Sequence, residues 1–137
     1  MVVEASASRP ALAIQGDAVS VRLARGRVLA TAVGPAVPPL KLPPPPTTRC
    51  TFTVTFASAS GVVPLSARAF TIVDELGRVH QPVVRSLGGG PVPARVRPGR
   101  TVTLTVRDVL PSGSGRLRWT PAGTLPVVSW DFDVEID

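Results

Sequence analysis

Tyrosine is absent from the 137 residues, histidine and cysteine occur once each, and Lys41 is the single lysine. Each scarcity excludes a class of chemistry. One cysteine, Cys50, rules out an intrachain disulfide framework, and no CxxC or Cys/His cluster offers zinc enough ligands. A blue-copper centre needs two histidines, and the chain has only His80. The acyl-transfer elbow G-x-S-x-G is missing too, because Ser112 rather than glycine stands two positions before Ser114. His80, beside Gln81 and Pro82, therefore reads as a plain surface or hairpin histidine, and Cys50 as a buried thiol acting as a small hydrophobe. Long apolar runs are lacking as well. The apolar, uncharged stretch 28–40 holds three prolines and falls short of the ~20 residues that span a bilayer. Glu4 and Arg9 interrupt the N-terminus before a secretory signal could form.

What the chain does hold is proline, glycine and arginine. With 16 prolines, 12 glycines and only 4% aromatic residues, long helices are disfavoured, and the length suits one domain. Fourteen of the 15 basic residues are arginine, and the net charge is +6. Four of the nine acids, Asp131, Asp133, Glu135 and Asp137, lie in the last seven residues, so residues 1–130 carry a net +10. Two arginine clusters stand out, Arg22, Arg25 and Arg27, and Arg95, Arg97 and Arg100. They are the residues expected to touch any polyanion.

Alternation with period two is the strongest signal. In residues 50–56 Cys50, Phe52, Val54 and Phe56 alternate with Thr51, Thr53 and Thr55. Residues 100–108 repeat the device with Val102, Leu104 and Val106 inward, and 130–137 does so with Trp130, Phe132, Val134 and Ile136 inward and four carboxylates outward. Branched threonines suit the outer face of a pleated sheet. Weaker strands are expected over 11–15, 18–23, 26–33, 66–73, 77–83 and 115–120, separated by turn chemistry such as Asp74-Glu75-Leu76-Gly77 and Pro98-Gly99. Short strands at this spacing predict an all-β antiparallel sandwich of two sheets over 11–137, after an N-terminal tail at 1–10. Phe70, Ile72 and Trp119 join the expected core. Arg116 and Arg118 are the expected partners of the acidic strand. Its carboxylates, ~6.6 Å apart along the strand, are too widely spaced to converge on calcium without loop oxygens.

Two segments break the pattern. Residues 34–48 contain seven prolines, which cannot donate to a ladder, so a semi-rigid crossover loop between the sheets is expected, with a ligand for a proline-recognition domain as the lesser reading. Residues 86–94, with Gly88-Gly89-Gly90, read as a flexible loop, since prolines rather than a helix follow and a phosphate cradle needs that helix.

The order of these motifs resembles a known family. GDAVSVRLARGRV, the Pro-rich segment, CTFTVTFASASGVVPLSARAFTIVDELGRVH, PGRTVTLTV (98–106) and a closing strand with Trp130 follow the pattern of the telokin-like, immunoglobulin-like domains of the small secreted mycobacterial immunoprotective antigen and related actinobacterial domains of unknown function. The resemblance implies an immunoglobulin-like sandwich and an extracytoplasmic or cell-envelope setting, and it supplies no catalytic residues. The four-acid terminal strand is more charged than that pattern.

The function expected from the sequence is a non-enzymatic binding or interaction module with no catalytic, cofactor or metal residues. It would be exported or envelope-associated, with a protein or cell-envelope partner and no membrane span. The alternative is a basic cytoplasmic protein that binds polyanions or nucleic acid. Phe52, Phe56, Phe70, Trp119, Trp130 and Phe132 all fall on inward parity, which leaves nucleic acid without a stacking platform and makes it the less favoured partner.

Overall fold

A computed structural model describes residues 2–39 and 42–136. Its strands follow in the order β1 (Val3–Ser6), β2 (Ala11–Ile14), β3 (Ala18–Arg22), β4 (Gly26–Ala36), β5 (Thr47–Gly61), β6 (Val63–Pro64), β7 (Phe70–Val73), β8 (Val79–His80), β9 (Val83–Ser86), β10 (Arg95–Val96), β11 (Val102–Pro111), β12 (Gly113–Trp119) and β13 (Val128–Val134), with one 3-10 turn at Ala67–Ala69. They form a six-stranded sheet in the order β1-β3-β4-β5-β11-β9, a five-stranded sheet in the order β2-β13-β12-β7-β8, and a small β6-β10 ribbon.

The threonine alternation works as expected. Phe52, Val54, Phe56, Leu104 and Val106 of one sheet and Phe70, Ile72, Trp119, Trp130, Phe132 and Val134 of the other are buried. Edge-to-face pairs bridge the sheets, Phe52 with Phe132 at 4.7 Å and Phe56 with Trp119 at 4.9 Å. Fully burying one such side chain contributes about 1.5–3 kcal/mol. Trp130 also donates its indole N–H to the Asp17 carbonyl at 3.1 Å. Trp119 Nε1, among the described residues, has no partner, and its apolar burial offsets that cost. Val102 and Ile136 are only half-buried. Thr105 is buried despite its outward parity, between its cross-strand neighbours Thr53 and Arg85.

Four expectations are corrected. Residues 1–10 are not a simple tail, because Val3–Ser6 lies parallel on β3 and buries Ala5. The pairing is not wholly antiparallel, since β2 also lies parallel on β13. The proline-rich segment does not cross between sheets. It joins β4 to β5, which are neighbours from Gly26↔Gly61 to Ala36↔Thr51, and Pro35 sits within a register shift where no ladder donor is required. Residues 77–83 are not one strand. Pro82 breaks the run, β8 and β9 go to different sheets, and the Gln81 amide at the crossing donates to the carbonyls of Ala67 and Phe70. The glycine loop after Ser86 is closed by hydrogen bonds from Ser86 N to Gly90 O and from Gly89 N to Ser86 O.

Candidate anion-binding end

The ladders bring together what the sequence keeps apart. Arg22 faces Arg27 across the β3–β4 hairpin, whose turn is closed by Leu23 N donating to Gly26 O. Gly26 lies opposite Gly61 at the end of β5, and a Cβ on either would run into backbone, on Gly61 into the Arg25 carbonyl. This close approach lets Val62 N donate to Arg25 O at 2.8 Å. The next residue, Val63, pairs with Val96, which Arg95 and Arg97 flank, and Arg100 N closes the following turn onto Arg97 O. Both predicted clusters therefore sit side by side at one end of the sandwich.

Two further arginines reach the same end, and neither was singled out in the sequence. Arg9 follows β1, whose last residue Ser6 is level with Arg22, and Ala11 N then bonds Val127 O. Arg68 lies in the 3-10 turn before β7, where Ala69 O accepts from Thr120 N. All eight arginines are exposed. Among the described residues none of them is within ion-pair distance of a carboxylate. All six aromatic rings are buried, so this end presents guanidinium groups and no stacking surface.

The opposite end carries six of the nine acids, interspersed with Arg49, Arg78, Arg107 and Arg116. Asp108 is opposite Cys50 near the start of β5, Asp133 is opposite Ser114, and Asp74 and Glu75 follow β7. Arg116 binds Asp131 at 3.1 Å as expected, whereas Arg118 turns to the Thr71 hydroxyl at 3.2 Å. A groove of about 1130 Å³ runs past Asp74, Arg116, Asp131, Asp133 and Glu135. Asp137 lies outside the described residues.

His80 is better anchored than a plain surface histidine. Its Nε2 lies 2.7 Å from Asp74 and its Nδ1 3.4 Å from Asp108, which belongs to the other sheet. Asp74 also accepts from the backbone N–H groups of Leu76 and Arg78. The hydrogen bond from His80, with those from the backbone, holds the Asp74 carboxyl below its ordinary value. Both imidazole nitrogens face carboxylates, and among the described residues the one hydrogen-bond partner of the ring is Asp74, with no serine or cysteine side chain bonded to it. Cys50 is fully buried, and that burial, with the Asp108 charge, pushes its thiol up to about 11. Among the described residues no three His, Cys, Asp or Glu side chains converge as metal ligands.

Fold and site together define a two-sheet, all-β sandwich with eight exposed arginines gathered at one end. No family model matches the chain, and no curated protein matches it in sequence. In structure it is similar to MPT63, a secreted protein from Mycobacterium tuberculosis, with a TM-score of 0.57 and 14% identity, covering 90% of this chain and 98% of that one. At that identity the likeness is one of fold, and it is the fold that the sequence resemblance implied.

Proposed function

We propose that the protein is a non-enzymatic, immunoglobulin-like binding module that works outside the cytoplasm and meets an anionic partner end-on through its arginines. The observation that carries this reading is the convergence of eight exposed arginines, from separate turns, on one end without carboxylate partners among the described residues. Leaving so many like charges together costs stability unless a partner neutralises them. The secreted structural neighbour supports an extracytoplasmic setting. The bonding of His80 to Asp74 rather than to a nucleophile, and the protonated, buried thiol of Cys50, support a non-catalytic role.

A heparin titration at low and at physiological ionic strength tests the reading. Binding should weaken steeply with salt, as it does on duplex DNA, where each neutralised phosphate contributes about 0.9 log units per log of salt. The double charge reversal Arg25→Glu, Arg97→Glu should abolish most of it, while Arg116→Glu at the other end should not. No binding at low salt, or equal loss from both variants, would refute the arginine end as the contact surface.

A further inference from the structure

The same end carries a second kind of side chain. Val62 is 45% exposed and Leu125 is 73% exposed, and both stand on loops at the arginine end. Each is bracketed by arginines through backbone hydrogen bonds. Val62 bonds Arg25 directly and precedes the strand that pairs with Arg95 and Val96. The loop that carries Leu125 begins at Thr120, bonded to Ala69 beside Arg68, and ends at Val127, bonded to Ala11 two residues past Arg9.

We infer that the partner met by this end is an anionic lipid surface, on which the domain docks peripherally. The inference rests on the proposed role of the arginine end and narrows its ligand. A phosphate or sulfate polymer rewards guanidinium groups but offers an exposed leucine or valine nothing. A bilayer rewards both, since arginines sit at the headgroups while short aliphatic side chains enter the boundary with the acyl chains. A single-stranded nucleic acid would instead favour exposed rings, and all six rings are buried, while a duplex, like any phosphate polymer, would leave Val62 and Leu125 unused. With so few such side chains the attachment is reversible and salt-sensitive, unlike insertion of a spanning segment.

Co-sedimentation with vesicles tests this, comparing phosphatidylcholine alone with an equal mixture of phosphatidylcholine and phosphatidylglycerol, and with heparin binding measured in parallel. The protein should sediment with the mixed vesicles only, and less as salt rises. Each arginine reversed to glutamate should weaken vesicle binding by about fivefold or more. The double variant Val62→Ser, Leu125→Ser, at positions exposed enough to leave the fold intact, should weaken vesicle binding severalfold and leave heparin binding unchanged. Heparin binding without vesicle binding overturns the lipid inference and leaves the proposed function standing. An unchanged vesicle affinity in the Val62→Ser, Leu125→Ser variant overturns it as well. Failure to bind either probe removes both readings.

Discussion

Gly61 shows how one residue sets up the whole arginine end. Its φ of +67° is a left-handed conformation, and an added Cβ would meet the Arg25 carbonyl. Gly61→Ala should therefore destabilise the protein by about 1–3 kcal/mol, read as a lower urea midpoint. Asp74 makes the residue-scale prediction for pH. Its carboxyl is depressed in the folded state, so its contribution is full above the unfolded carboxylate's pKa of about 3.9 and is lost as pH falls past that value through the lower folded one. Acid titration of thermal stability should show this fall in the wild type and a shallower one in Asp74→Asn. The Asp74–His80 contact spans one hairpin and was within reach of the sequence. Asp108 was not, because it arrives from a different sheet.

Among the elements, strands with sustained alternation were legible and short ones were not. Phe52, Leu104 and Trp130 took the faces their parity dictates, because a one-residue slip would turn each apolar set to water. Pairs such as Val63–Pro64 and Arg95–Val96 are too short to carry a period and exist only because each finds the other. Val3–Ser6 was missed for a related reason, since its single fully buried side chain, Ala5, is small. Removing residues 1–6 should cost roughly 2 kcal/mol, at about 0.5–1.5 kcal/mol net for each ladder hydrogen bond lost. The free edge of β3 should also raise the tendency to aggregate, measured by light scattering at the denaturation midpoint.

At the scale of the whole molecule, the two arginine clusters were visible in the sequence but their meeting was not. It depends on the hydrogen bond from Val62 to Arg25, between residues far apart in the chain, and on the β6-β10 ribbon that relays it to Arg97. Arg9 and Arg68, isolated in the sequence, gained their place only through the ends of β1 and β7. The parallel pairing of β2 with β13 has a mechanical consequence. Ala11 to Ile14, near the start of the chain, lie alongside Val128 to Asp131, near its end, and run in the same direction. Tension drawn from Ala11 toward Val134 pulls the two strands lengthwise past each other, so the hydrogen bonds between them share the load and break together instead of unzipping one by one. A domain held on a surface by one end and pulled through its C-terminal strand would meet force across its strongest direction.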